Sequence, residues 1–454
     1  MRRSRFVKHA VILAGVASAI PAPAAPEPPK IVGKLPALET FSLSNGLQVA
    51  VLRTDAAPVV SVQVWYHAGS KDEPRERRGT AHMFEHLMFE GTGRVRPQLH
   101  AQSIEWLGGY VSASTDEDAT HYVDTLPPDH LDYALQLEAD RMRGLQLTRP
   151  AIDVARQIIQ AELRQQDASP FAQGLSRCLG VAYQKHPYAS MATGNARELD
   201  AVTADELKKF YDAYYQPNNA LLVVVGNVVT ADVKAAVEKY FGPIARGADP
   251  PRPAADTPEP AQTAKRHQVV EPGPVGLTLV GWHVPAAKDK DVYALQLALN
   301  VLGTGDGSRL KVRLKTPDPR TKQALVLDAG MDAIIREHPG MVIALGAYLD
   351  PAKADAVEAA LVDEVGKLAA RGPTADELRK AKNQIEAGFV FSLENAQGLG
   401  EAIGRSWIFS GNPGAFLYEA DDLEKVSAAD VQRIVKQYLS PDRATVVVIP
   451  PKAR

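Results

Sequence analysis

Residues 202–226 read VTADELKKFYDAYYQPNNALLVVVG, and residues 426–449 read VSAADVQRIVKQYLSPDRATVVVI. At a constant offset of 224 positions, both segments contain a capped helix, a proline that ends the helix, and a strand rich in β-branched residues. This order is typical of an α/β unit. Its recurrence predicts that the unit is duplicated within the chain.

A second pair of segments supports the duplication, because residues 150–160 and 373–383 both have helical periodicity with charged outer positions. Residues 60–66 read as a strand, and Asn45-Gly46 predicts a hairpin turn. Strands interleaved with longer helices predict an α+β fold. We expect two homologous α/β domains in tandem, each a mixed, mostly antiparallel sheet packed by helices.

A proline-rich segment divides the chain. Residues 243–266 contain six prolines among small polar residues, which is linker composition. We therefore expect a first domain over residues 28–242 and a second, degenerate copy over residues 267–454.

The first 24 residues have the features of an export signal. Four basic residues precede the apolar run 10–20, and Ala22-Pro23-Ala24 offers a cleavage site. Eleven apolar residues are too few to cross a bilayer, since a helix needs about 20. We expect a signal peptide at residues 1–24 and a mature protein in a bacterial periplasm, free of the membrane after cleavage.

Composition bounds the remaining possibilities. At 454 residues, with 45% hydrophobic and 23% charged residues, the chain has the make-up of a globular protein of two or more domains. Loss of the signal would move the net charge from −3 to about −7, which gives no electrostatic case for nucleic acid or anionic lipid. The single cysteine, Cys178, excludes an internal disulfide and is expected to be a buried, inert residue.

The strongest chemical signal is His82-Met83-Phe84-Glu85-His86, in an apolar segment that reads as a helix. Residues at i, i+3 and i+4 share one helix face, so both imidazoles can point at one metal ion with Glu85 beside it. This is the inverted His-x-x-Glu-His order of some zinc metallopeptidases, in which the glutamate takes a proton from water. The alternative without metal chemistry is an amphipathic helix with two surface histidines.

The second copy shows whether the fold by itself requires the residues of the histidine motif. Its counterparts in the second half, at an offset of about 212 guided by two Gly-Thr-Gly segments, are Ala294, Leu297 and Ala298. Glu162, on the helix after Pro150, has Ile385 as its counterpart. The second copy keeps the helices and lacks the metal chemistry, so helix formation alone does not require these residues.

Several segments together resemble the pitrilysin (insulinase) family of zinc metallopeptidases, in the short-chain branch that includes mitochondrial processing peptidase. They are the inverted motif with Glu162 downstream, Gly108-Gly109-Tyr110, Thr120-His121-Tyr122, His186-Pro187-Tyr188 and residues 214–226. The resemblance implies Zn²⁺ bound by His82, His86 and Glu162, with Glu85 as the catalytic base. It also implies a chain that forms half of a clamshell.

Two departures from the family matter. Ala155 stands where the family often has a supporting glutamate, seven positions before the third ligand. The segment after Gly307-Ser308-Arg309-Leu310 should lead to an Arg and a Tyr that serve the transition state, but no tyrosine occurs between Tyr293 and Tyr348. Arg309 or Arg313 as a substitute donor is one alternative, but we interpret each as a surface or structural residue. The chain is therefore expected to be the zinc-bearing subunit of a heterodimer whose homologous partner supplies the pair; a homodimer is the alternative.

The resemblance also places a peptide-binding edge strand at residues 111–115, with Ser112, Ala113 and Ser114 as substrate-binding residues. Main-chain pairing there would favour extended peptides or unfolded segments. The serines have an alternative interpretation as ordinary alternation on a half-exposed strand. Two other functions stay open: a non-catalytic scaffold or peptide-binding subunit, and a hydrolase acting on a non-peptide ester or amide.

Overall fold

The computed structural model describes residues 37–452, so the predicted signal peptide lies outside the described residues. Among the described residues, no helix is both long enough and apolar enough to cross a membrane. The first half comprises the following elements in chain order: β1 (Leu38–Ser42), β2 (Gln48–Arg53), β3 (Val60–Tyr66), α1 (Thr80–Leu87), α2 (Leu99–Trp106), β4 (Tyr110–Thr115), β5 (Thr120–Leu126), α3 (Leu131–Gly144), α4 (Arg149–Asp167), α5 (Pro170–Ala182), α6 (Ala196–Ala201), α7 (Ala204–Tyr214), β6 (Ala220–Gly226) and α8 (Thr230–Phe241).

The second half repeats much of this order. Its elements are β7 (Arg266–Val269), β8 (Gly276–His283), α9 (Asp291–Gly303), α10 (Arg309–Lys315), β9 (Asp328–Ile334), β10 (Met341–Tyr348), α11 (Ala354–Arg371), α12 (Ala375–Ser392), α13 (Ala396–Ser410), α14 (Glu419–Glu424), α15 (Ala428–Tyr438) and β11 (Thr445–Ile449). β7 begins at Arg266, the last residue of the predicted linker.

The two sheets share one topology. The first has the order β1-β2-β6-β3-β5-β4 and the second β7-β11-β8-β10-β9, so five strands correspond one to one. In each sheet one pair is parallel (β2 with β6, β7 with β11) and the other pairs are antiparallel. The predicted fold class, two tandem α/β units with mixed, mostly antiparallel sheets, is confirmed.

The repeated segments fold as their patterns predict. The Thr203 and Ser427 side chains cap α7 and α15 in matching capping boxes, and each helix is followed by the buried strand of its own sheet. The hairpin at Asn45-Gly46 joins β1 to β2, and Gly46 has a φ of 90°, which favours glycine because it lacks a Cβ.

The two halves exchange helices. α5 of the first half packs on β8 and β11 of the second sheet, and α13 of the second half packs on β3 and β6 of the first. The approach is close at Gly404, where a Cβ would run into the indole of Trp65. Cys178 is buried where α5 packs on the second sheet, as predicted. The described residues therefore form one compact unit whose packing crosses the proline-rich segment.

The helix that carries the histidine motif has an apolar counterpart. Ala294, Leu297 and Ala298 on α9 are buried in the second core, and Ile385 on α12 packs partly buried against the same core. Apolar side chains in the second half thus occupy the positions at which the first half has imidazoles and carboxylates.

Candidate metal centre

Helix α1 presents the motif on one face. Met83 and Phe84 are fully buried in the core, and Phe84 stacks on Phe210 and Tyr211. His82, Glu85 and His86 lie on another face, at the i, i+3 and i+4 spacing that brings side chains together. Packing of the apolar face therefore fixes the direction in which the polar side chains point.

Helix α4 brings in the third predicted ligand. Its Thr148 cap and Pro150 in the first turn set its start, and Ile152, Ala155, Ile159 and Leu163 form its buried stripe. α4 packs against α1. Glu162 lies beside the buried stripe, with 43% of its side chain exposed, so it faces α1 from the solvent side.

The three predicted ligands meet. The Nε2 atoms of His82 and His86 lie 3.4 Å and 3.5 Å from Oε2 of Glu162. Tetrahedral Zn²⁺ with ligand bonds of about 2.0–2.1 Å separates neighbouring ligand atoms by about 3.3 Å. The Nε2 atom of His86 is also buried, with no hydrogen-bond partner in the described part of the chain. An orphaned imidazole nitrogen at ligand spacing fits a zinc ion well.

The protonation states favour metal binding as well. Burial and the neighbouring His86 lower the pKa of His82 to about 4, so its imidazole is neutral at neutral pH and its lone pair is free. Burial raises the pKa of the Glu85 carboxyl, and the charge of Glu162 adds to that rise. A raised pKa brings a carboxylate toward the range in which it works as a general base.

A cleft of about 290 Å³ opens beside Glu85 and His86. Phe89, Val111, Ala113 and Ile158 supply apolar lining, and Ser112 also lines it. The cleft therefore adjoins both the predicted base and the predicted peptide-binding strand. Ser114, in contrast, is exposed on β4 and does not reach the cleft.

Strand β4 is the edge of the first sheet. The amide of Asp116 donates to the carbonyl of Ala119 at the β4–β5 turn, which makes these two residues a hydrogen-bonded pair. Hydrogen-bonded and non-hydrogen-bonded pairs alternate along an antiparallel ladder. Counting back from Asp116, the main chains of Ser114 and Ser112 therefore bond to β5. Ala113 then directs its N–H and C=O groups to the free edge, where an extended peptide could pair with them.

Ala155 is fully buried in the core of the first half, where it packs as a small apolar residue. The Nδ1 atom of His82 is buried without a hydrogen-bond partner among the described residues. Metal-binding histidines usually donate this second ring N–H to a carboxylate or a carbonyl. His82 thus has no orienting partner among the described residues, and Ala155 stands where the family resemblance leads us to expect a supporting glutamate.

Arg309 is committed to a structural contact, whereas Arg313 lies more exposed at the surface. Both Nε and Nη2 of Arg309 donate to the carboxylate of Glu377 at 2.7 Å, and Nε of Arg313 lies 3.9 Å from Glu364. Val326 is buried in the region where the family tyrosine is expected. We find no arginine and tyrosine pair in the described residues of this segment.

A second cluster of potential ligands was not predicted from the sequence. His100, Asp124 and Glu138 are fully buried within ligand distance of one another. Arg141 already provides the cation: it pairs with Glu138, and its guanidinium lies 4.5 Å from the ring centre of Tyr122. The cluster is therefore an internal ion network behind α1. The three residues are far apart in the sequence, so no spacing pattern predicts the cluster.

Family comparisons agree with this geometry. Residues 48–194 match the family model described as insulinase, peptidase family M16, and residues 201–385 match the model of the M16 inactive domain. The chain belongs to peptidase family M16, the insulinase or pitrilysin family. The first match contains all four residues predicted to bind and use the metal, and the second begins after them.

Similar M16 proteins cover most of the chain. It is 30% identical over 421 residues to the zinc protease PqqE of Helicobacter pylori, covering 92% of this chain and 94% of that protein. It is 25% identical over 417 residues to a probable mitochondrial-processing peptidase subunit beta of Arabidopsis thaliana, covering 89% and 76%.

Solved M16 structures have the same fold. A protease from Helicobacter pylori superimposes with a TM-score of 0.86 at 28% identity, covering 92% of this chain and all of that one. The periplasmic protease PqqL of Escherichia coli gives a TM-score of 0.72 at 18% identity, covering 91% of this chain and 48% of that one. The latter likeness concerns the fold alone.

Proposed function

We propose that this M16 chain is a zinc-dependent endopeptidase that cleaves extended peptides or unfolded segments. The observation that supports it most directly is the convergence of His82, His86 and Glu162 at ligand spacing, with an orphaned imidazole nitrogen among them. Relatives named zinc proteases cover nearly the whole chain.

The residues would divide the chemistry as follows. His82, His86 and Glu162 hold the ion, which when bound supplies a Lewis acid for the peptide carbonyl and lowers the pKa of water. Glu85, with Oε2 at 4.0 Å from Nε2 of His82, takes the proton of the attacking water and passes it to the leaving amine. Ala113 on the free edge of β4 orients the peptide through main-chain hydrogen bonds.

We further propose that a homologous subunit completes the active site. Arg309 is held by Glu377 of its own half, Arg313 is exposed with its Nε 3.9 Å from Glu364, and the segment has no tyrosine to join them. Loss of one transition-state donor typically costs about 10²–10³-fold in rate. A heterodimer whose partner carries the Arg and Tyr pair would restore those donors, whereas a homodimer would not.

The proposed location is the periplasm. The basic residues, apolar run and Ala-x-Ala site of residues 1–24 motivate it. Fractionation of the native host, with detection of the mature chain, tests this part of the proposal; the mature chain in the cytoplasmic fraction would contradict it.

The alternative function is a non-catalytic scaffold or peptide-binding subunit. The description "inactive domain" is the observation in its favour, but that match covers residues 201–385 and leaves the predicted metal residues outside it. We therefore prefer the peptidase.

The deciding experiment compares the wild type with Glu85→Gln, which keeps the shape of the side chain and removes the base. The peptidase hypothesis expects about one zinc per chain in both proteins and turnover only in the wild type. Each is assayed alone and with co-expressed homologues of its host. Full activity of the lone chain contradicts the heterodimer, and a zinc-loaded wild type without activity in any combination favours the scaffold.

A further inference from the structure

Helix α1 has no N-terminal cap of its own. Its N-cap residue is Gly79, which has a φ of 95° and no side chain to accept a hydrogen bond. The first N–H groups of a helix have no partner within the helix, and burying them unpaired is costly. These groups are buried here, because Thr80 and Ala81 are nearly inaccessible to solvent.

The missing cap comes from Glu73, six residues upstream. Its carboxyl group accepts from the amide of Ala81 at 2.8 Å and from the amide of Gly79 at 3.1 Å. Glu73 is itself only 5% exposed. A carboxyl group buried at this cost is retained for the contacts it makes, and both of these contacts are to the start of α1.

The Glu73 backbone belongs to a segment tied to the peptide-binding strand. The amides of Ser70 and Lys71 donate to the carbonyls of Asp116 and Glu117, in the turn that follows β4, at 3.1 Å and 3.0 Å. One short segment therefore pairs with the end of β4 and, through Glu73, also holds the start of α1.

We propose that Glu73 is a positioning residue that fixes the zinc helix relative to strand β4. It holds the first turn of α1, so that His82 and Glu85 face Glu162 on one side and the edge of β4 on the other. Glu73 contacts neither substrate nor metal in this role. The inference rests on the proposed zinc peptidase function and adds a residue outside the predicted metal site.

A purely structural role predicts a different outcome, and a matched control separates the two. Asn45 is equally buried and bonds two main-chain groups at the end of another helix, since its Nδ2 donates to the carbonyls of Phe241 and Ile244, both at 2.8 Å. Asn45→Ala should lower stability by the same mechanism, and α8 carries no predicted metal ligand.

The test uses Glu73→Met, which preserves side-chain length and removes both oxygens, and Glu73→Gln, which keeps one carbonyl acceptor. For each full-length protein, zinc affinity is measured by competition with a chromophoric chelator, and melting temperature by circular dichroism. We expect Glu73→Met to weaken zinc binding about tenfold or more, as loss of outer-shell orientation does elsewhere. Glu73→Gln should stay within about threefold of wild type, and Asn45→Ala should lose melting temperature with unchanged zinc affinity.

Peptide kinetics provide a second readout. Glu73→Met should lower kcat with little change in KM, because the residue does not touch the peptide. Wild-type zinc affinity in Glu73→Met, or an equal loss in Asn45→Ala, overturns the inference alone. A wild type that binds no zinc overturns the proposed function and this inference with it. If Glu73→Met does not fold, Glu73→Ala and Glu73→Asp are measured against the same control and judged by the same two outcomes.

Discussion

The hydroxyl of Tyr122 donates to the carbonyl oxygen of Phe84 at 2.9 Å, and Phe84 immediately precedes Glu85 on α1. The same carbonyl also accepts from the amide of Met88 at the end of α1. Tyr122 is fully buried on β5, and the guanidinium of Arg141 lies over its ring. The last turn of α1 is thus tied to the first sheet through its main chain.

Tyr122→Phe should therefore disturb catalysis more than stability. The substitution removes the hydrogen bond to Phe84 and the longer one, at 3.4 Å, to the hydroxyl of Tyr215, but it leaves the Phe84 carbonyl bonded to Met88. We therefore expect a stability loss of only about 1–2 kcal/mol. With the last turn less constrained, Glu85 should be positioned less well, and kcat should fall several-fold. Urea unfolding and peptide kinetics measure the two effects, and an unchanged kcat would argue against this role.

Ala113→Pro should abolish main-chain pairing with the substrate and spare the fold. Proline removes the N–H that points to the free edge of β4, without breaking a bond to β5. We expect kcat/KM for extended peptides to fall at least about tenfold while the melting temperature changes little.

Ser112→Pro is the control for that variant, because the N–H of Ser112 bonds to β5. It should lower the melting temperature clearly, since it removes a ladder hydrogen bond. Unchanged peptide kinetics in Ala113→Pro would mean that substrates do not pair with this edge.

Hydrophobic periodicity and residue spacing predicted the features that are local in the sequence or repeated between the two halves. The helix at His82 to His86, the hairpin at Asn45-Gly46 and the shared topology of the halves follow from such patterns. The position of Glu162 beside the histidines could be predicted only with the family resemblance, because no spacing rule links residues 76 positions apart.

Other features could not be predicted, for physical reasons. An amphipathic pattern shows that a helix has an apolar face but not which sheet covers it, so the exchange of α5 and α13 left no signal. The cap from Glu73 is a side chain outside its helix, whereas the capping patterns read from sequence place the acceptor at the N-cap itself.

Arg309→Ala should affect stability and leave the chemical step intact. Arg309 donates to Glu377 and to the carbonyl of Gly372, so it holds the start of α12 to α10. Its loss leaves a half-buried carboxylate without its partner, and we expect the melting temperature to fall by several degrees.

The kcat of the proposed heterodimer, measured with Arg309→Ala, decides between the structural and the catalytic interpretation of this arginine. We expect kcat within about twofold of wild type, because the transition-state donors are proposed to lie on the partner. A loss of 10²-fold or more would instead assign Arg309 to the active site.

Glu73 should make stability depend on pH. Burial raises the pKa of its carboxyl to about 8, with Glu198 adding to the rise and Arg78 and the amides of Ala81 and Gly79 opposing it. An unfolded chain has the ordinary glutamate pKa near 4.5, so between these values the folded state binds more protons. The contribution of Glu73 is therefore fully present below about pH 4.5 and is lost as the pH rises through about 8.

Glu73→Gln does not titrate at this position and isolates that contribution. Metal-free wild type and variant are unfolded in urea at intervals from pH 5 to pH 9, and the difference in their free energies of unfolding is plotted against pH. The wild type should lose stability relative to the variant as the pH rises, with most of the change between about pH 5 and pH 8. A difference that is flat, or that grows in the opposite direction, would mean that the carboxyl of Glu73 stays ionised in the folded chain and caps α1 as an anion.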